Sequence, residues 1–124
     1  MDGERSAFSL RIRQRPGAIA LLAPDGEVLE LNAAALRLLG TPIDARGSRF
    51  WELPWWSETA AEPRLRLRDN VARCAAGEVI RVRAELGKPD ARVVVDFSLR
   101  PVVSGGRVTS LVAEGRDITA LVQD

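Results

Sequence analysis

The chain has no histidine and no tyrosine, and among its 124 residues there is one cysteine, Cys74, and one lysine, Lys88. Without histidine there is no Ser-His-Asp or Cys-His nucleophile system, no histidine-ligated haem and no ordinary His/Cys zinc site. Without tyrosine there is no phenolic acid or oxyanion donor. Catalysis would fall to Asp, Glu, Arg and Lys88, and Lys88 sits in the turn Gly87-Lys88-Pro89-Asp90. The expectation is therefore that the chain is not an enzyme. One cysteine cannot form an internal disulfide, which fits a reducing cytoplasm. An excess of charge is lacking too: 18 basic residues face 17 acidic ones, a net charge of +1. The signs are interspersed, so no electrostatic footprint for nucleic acid or an anionic membrane exists. The longest apolar runs, residues 18–23 and 33–36, fall far below the roughly 18 residues of a membrane span. Met1-Asp2-Gly3-Glu4-Arg5 is not the start of a signal peptide.

What is present is ordinary globular composition, 46% hydrophobic and 28% charged, at a length typical of one domain. Residues 1–15 read as an arm or short helix before the Pro16-Gly17 break. Residues 18–23 and 27–31 are short strands around Pro24-Asp25-Gly26, a β-hairpin signal. Asn32 suits the N-cap of a helix over 33–39, which Gly40 and Pro42 stop. Residues 43–60 hold Phe50, Trp51, Trp55 and Trp56 among Gly and Pro, and predict one-turn helices and loops. A longer helix is expected over 62–76, with Leu67, Val71, Cys74 and Ala75 on one buried face.

Period-2 alternation then marks three strands over 79–86, 92–103 and 107–116. Ile80, Val82, Ala84, Val95, Phe97, Leu99, Leu111, Ala113 and Gly115 fall on the apolar side. Arg81, Arg83, Glu85, Val94, Asp96, Ser98, Arg100, Val112, Glu114 and Arg116 fall on the other. The order β-β-α-(short helices)-α-β-β-β predicts an α+β fold: a five-stranded antiparallel sheet with helices covering one face.

Six segments in order resemble the PAS domain family over residues 16–120. They are the Pro-Asp-Gly hairpin with Asn32, Gly40, and the segment Phe50-Trp51-Glu52-Leu53-Pro54-Trp55-Trp56. Ala75-Ala76-Gly77-Glu78, Asp96-Phe97-Ser98-Leu99-Arg100-Pro101-Val102 and Glu114-Gly115-Arg116-Asp117-Ile118-Thr119 complete the set. The resemblance implies a sensory or relay module of a bacterial signalling protein, its sheet wrapped around a pocket. Asp117, Ile118 and Thr119 would join the last strand to an outgoing helix that starts in residues 121–124. The longer native protein is expected to continue as that helix into an output domain, a histidine kinase, nucleotide cyclase or transcription regulator. A homodimer through that helix and residues 4–15 is expected, with no nucleic-acid or membrane contact.

The pocket expected from this resemblance is lined by Trp51, Trp55, Trp56, Leu67, Arg68, Asn70, Val71, Cys74, Ala84, Val95, Phe97, Leu111, Ala113 and Gly115. Small residues at Ala84, Ala113 and Gly115 leave room either for a ligand or for a bulky side chain, so a ligand pocket and a packed interaction module both stay open. Arg64, Arg66, Arg68 and Arg73 on one helix favour an anionic or polar ligand, with Arg68 and Asn70 as its contacts. No cofactor is predicted. Haem lacks its axial histidine, and Cys74 stands outside the Asn-Cys-Arg-Phe-Leu context of a covalent flavin site. An enzyme of small cone-like α+β shape would need a buried carboxylate, and Asp96 and Glu114 fall on the charged face. An RNA-binding sheet needs exposed aromatics, and Phe97 points inward.

Overall fold

Pro24-Asp25-Gly26 reverses the chain because each residue meets a separate demand of the turn. Gly26 takes the positive φ of 92°, the Asp25 carboxylate accepts from the Glu27 N–H at 2.9 Å, and the Gly26 N–H donates to the Ala23 carbonyl. The computed structural model describes residues 17–39, 46–53, 61–86 and 93–122. On either side of this turn lie β1, Ala18–Leu22, and β2, Val28–Leu31. Helix α1 follows at Ala33–Leu39, a 3-10 turn at Phe50–Glu52 and α2 at Ala61–Ala75. The strands β3 (Ile80–Leu86), β4 (Val93–Ser104) and β5 (Arg107–Asp117) come next, and α3 is Thr119–Val122. The expected arm over residues 1–15, the Gly87–Asp90 turn, Trp55 and Trp56 lie outside the described residues.

The five strands pair antiparallel in the order β2-β1-β5-β4-β3. The early hairpin and the last strand are thus neighbours, and β5 sits in the middle of the sheet. Gly105 and Gly106, at φ 61° and 79°, make the two-residue turn between β4 and β5. Two consecutive positive φ angles match the twist of the flanking strands.

Asn32 shows how local and tertiary demands meet in one side chain. Its Oδ1 accepts from the Ala35 N–H at 2.9 Å, the capping bond expected of it. The same oxygen accepts from the Ile19 N–H at 3.0 Å, and Nδ2 donates to the Gly17 carbonyl at 2.6 Å. Buried to 1% exposure, Asn32 locks the start of β1 to the start of α1. At the other end of α2, the Glu78 N–H reaches the Arg73 carbonyl and Gly77 turns out at φ 108°. This is a Schellman stop, with Gly77 in the left-handed position it needs.

Register confirms the two faces. Leu99 pairs with Ile80 and Ala113, and Phe97 with Val82 and Gly115, all on the inner side. Two departures from simple alternation appear. Val82 lies opposite Phe97 but is 39% exposed, because β3 is the sheet edge. The outer face, expected to be charged, carries a second apolar cluster of Ile19, Leu21 and Val112, flanked by Leu29 and Val102. Val94, also assigned outward by alternation, is buried. Alternation defines a face but not what packs on it.

Candidate functional site

The inner face of the sheet gathers the largest core. Ala20 and Leu22 of β1, Val28 of β2, Val95, Phe97 and Leu99 of β4, and Leu111 and Ala113 of β5 meet Leu67, Val71 and Cys74 of α2. Phe50 and Leu53 close it from the 3-10 turn. Phe50 stacks on Phe97, ring centroids 5.8 Å apart and planes 13° from parallel. The turn is held there by backbone bonds from the Phe50 N–H to the Gly26 carbonyl and from the Val28 N–H to the Ser48 carbonyl. Arg49 adds an ion pair with Asp25 at 3.5 Å. Trp51 packs half-buried on the margin, its ring 2.4 Å from where a Cβ on Gly26 would stand.

Of the residues expected to line a pocket, the structure brings Leu67, Val71, Cys74, Val95, Phe97, Leu111 and Ala113 into this cluster, with Trp51 at its rim. Gly115 lies at the margin, and Val95 Cγ1 fills the space where its Cβ would be, at 3.0 Å. Ala84 pairs with Val95 across β3–β4. Arg68 stands apart: it is exposed on α2, away from the Leu67, Val71 and Cys74 side, and Asn70 is half-buried outside the cluster. The helix places its arginine at the wrong angle for the inner face, because Arg68, the residue after Leu67, is turned about 100° around the axis from Leu67 at 3.6 residues per turn, off the Leu67, Val71 and Cys74 stripe.

Phe50, Leu53, Leu22 and Val28 are core members that pattern reading missed. They sit on a short turn or a short hairpin, too brief for a periodic signal.

No charged side chain is buried among the described residues, and Asn32 is the one buried polar group. Burial pushes the Cys74 thiol up to about 11, so it is protonated at neutral pH. No cluster of His, Cys, Asp and Glu among the described residues has the makings of a metal site. None of the described helices is long and apolar enough to cross a membrane.

The second feature is the junction after β5. The Asp117 carboxylate accepts from the Thr119 N–H at 2.9 Å and from the Thr119 hydroxyl at 2.6 Å. These bonds hold its carboxyl below the usual carboxylate range. Asp117 thus caps the first turn of α3. Thr119 does not: its Oγ1 accepts instead from the Val94 N–H at 2.9 Å. The Ile118 N–H completes the contact by donating to the Val94 carbonyl at 2.8 Å, and Ile118 itself is 9% exposed. Both polar groups of the Val94 backbone are therefore tied to the junction, which clamps the start of β4 to the exit of β5. Thr119 turns inward because Val95 pairs with Asp117, bringing the β4 backbone alongside.

On the opposite face, Arg81 forks onto Asp96, with Nη2 to Oδ2 at 2.6 Å and Nε to Oδ1 at 3.2 Å. Arg100 pairs with Glu114 at 3.0 Å. These are cross-strand pairs, and they leave both carboxylates on the solvent side of the sheet, away from the inner cluster.

The comparisons agree with this architecture. Over 106 residues the chain is 38% identical to the sensor histidine kinase TmoS of Ectopseudomonas mendocina, covering 82% of this chain and 11% of TmoS. The PAS domain of Bordetella pertussis BvgS superposes with a TM-score of 0.78 at 17% identity, over 94% of this chain and 88% of that one. A Rhodobacter sphaeroides LOV protein superposes at 0.74 with 13% identity, over 96% and 69%. At such identities these two likenesses speak for the fold alone. Residues 12–123 match the sequence profile of the PAS fold. The chain belongs to the PAS fold family.

Proposed function

We propose that this PAS module is the input and relay element of a longer sensor histidine kinase, and that its input is a small, uncharged, apolar molecule taken into the inner face. The observation that carries the reading is the chemistry of that face. Its described side chains are apolar apart from a protonated thiol, with no buried charge to pair an anion. An ion moved there without a partner would be strongly disfavoured, so the anionic ligand suggested by Arg68 gives way to an apolar one. The proposed lining is Trp51, Leu67, Val71, Cys74, Val95, Phe97, Leu111, Ala113 and Gly115. Trp55, Trp56, Ala84 and Asn70 remain proposed neighbours. Output is proposed through Asp117, Ile118 and Thr119 into the helix that starts at Thr119, two residues earlier than the sequence suggested, in a cytoplasmic homodimer whose sensor module spans residues 16–120. The TmoS likeness supports a kinase as the attached output.

A second reading, a relay that works by contact and holds no ligand, is favoured by the Phe50–Phe97 stack and by Val95 occupying the space at Gly115. The experiment is a thermal and NMR titration with benzene, using benzoate as the charged analogue. At tenfold excess over Kd, binding to the native state adds about 1.4 kcal/mol, or about 5 °C in Tm. A rise with benzene alone, with shifts at the Leu67, Val71 and Leu99 methyls, supports the reading. A rise with benzoate alone refutes the apolar input, and no rise with either supports the ligand-free relay.

A further inference from the structure

The outer sheet face carries an unbalanced row that the sensory reading does not use. Register places Arg83 of β3, Asp96 of β4 and Arg116 of β5 directly across from one another. Arg81, one row along, already fills the Asp96 carboxylate with its two-pronged contact. Arg83 and Arg116 are exposed and make no hydrogen bond or ion pair among the described residues. Asp96 feels them only through space: its carboxyl is held low first by the Arg81 hydrogen bond, then by the charges of Arg81, Arg83 and Arg116. One carboxylate against three guanidiniums leaves two positive charges on a chain whose net charge is +1. The next charged pair, Arg100–Glu114, is neutral.

We propose that this row is a docking surface for an acidic helix of a partner protein, with one carboxylate on Arg83 and another on Arg116. Geometry sets the spacing. β3 and β5 are separated by β4, so the two arginines rise from backbones about 9.6 Å apart, two strand spacings. Carboxylates seven residues apart on a helix are separated by about 10.5 Å along its axis. Each fork is suited to a carboxylate held in two-pronged geometry. A second copy of this chain is a poor occupant, because a two-fold axis through the row sets arginine against arginine. A nucleic acid or an anionic membrane needs a wider positive field than two free guanidiniums.

The test uses the chain with two helical peptides of equal length and charge, one with glutamates at i and i+7, the other with the same glutamates at i and i+3. Binding is followed by fluorescence anisotropy. The i/i+7 peptide should bind about threefold tighter, because the i/i+3 peptide still engages one arginine and the difference is one exposed charge pair. It should also weaken between about 20 and about 200 mM salt. The double variant Arg83→Gln/Arg116→Gln should lose that advantage, while Arg83→Lys/Arg116→Lys keeps a good part of it and Arg100→Gln keeps it all. Melting curves confirm that each variant is folded. Equal binding of the two peptides overturns the proposal, as does an equal loss in Arg100→Gln. Retention of the chain by phosphatidylserine vesicles or by duplex DNA through the same two arginines also overturns it, in favour of a general anion patch.

Discussion

Replacing Thr119 with valine keeps the side chain's shape and removes its oxygen, which isolates the contribution of one hydroxyl to the β4–β5 clamp. That hydroxyl donates to Asp117 and accepts from Val94. In the Thr119→Val variant the Val94 N–H, on a residue 3% exposed, loses its acceptor. A buried donor left unsatisfied costs about 1–3 kcal/mol. The Asp117 carboxylate is exposed, so water replaces its lost partner at little cost. The expected total is about 2 kcal/mol. For 124 residues the unfolding entropy near Tm is about 260 cal/mol/K, at ~2.1 per residue, so Tm should fall by about 8 °C. Hydrogen exchange at the Val94 amide should accelerate by about 30-fold, the same 2 kcal/mol expressed as a local opening constant. Thr119→Ser, which restores the oxygen, should recover most of both effects. A Thr119→Val protein that melts within about 1 °C of the parent and protects Val94 equally well would refute the clamp.

Gly26→Ala should cost about 2–4 kcal/mol, from left-handed backbone strain and displacement of Trp51, whose Cζ3 and Cη2 lie 2.4 and 2.8 Å from the new Cβ. In a Trp51→Leu background the cost should drop to the backbone share of about 1–2 kcal/mol; a full cost there in denaturant melts would mean the ring is not the obstacle. Cys74→Ser should destabilise by about 1–3 kcal/mol, and the parent thiol should resist Ellman's reagent until the protein unfolds. The thiol's folded pKa of about 11 lies above its ordinary value of 9.0. Its stabilisation is therefore complete below pH 9 and is lost as pH rises toward 11, so a Cys74→Ala protein should show a flatter alkaline stability profile. Identical profiles would place the thiol in water.

The elements legible in the sequence are those whose causes are local. Pro24-Asp25-Gly26, the Asn32 cap, Gly77 after α2 and the Gly105-Gly106 turn each carry their own instruction, and the β3, β4 and β5 boundaries lie within one residue of their alternation. The illegible parts depend on partners distant in sequence. Asn32 reaches back 13 residues to Ile19 and 15 to Gly17, which no capping pattern encodes. The outer cluster of Ile19, Leu21 and Val112 forms because β1 pairs with β5. Alternation had separated Val112 from the core because its neighbours on that face are charged. Arg68 misled for a related reason: five polar or charged residues crowded on one helix say nothing about which side of it meets the sheet.

The junction after β5 is tied to the inner face through β4 as well as through β5. Under the proposed output, alternation on β5 offers one route from the inner face, by Leu111, Ala113 and Gly115. In the structure β4 offers a shorter path. Val95 lies in the inner cluster and touches the Gly115 position, while its neighbour Val94 faces the other way and holds Ile118 and Thr119 through its backbone. A planar peptide joins the two residues, so a displacement of the Val95 side chain that rotates its backbone also rotates the groups that grip Thr119. Gly115 has no side chain to absorb such a movement, and Val95 Cγ1 already occupies that space. The core and the exit of the domain are therefore separated by one peptide unit on β4. Thr119, which accepts from β4 and donates to Asp117 at the end of β5, is the atom-level meeting point of the two strands.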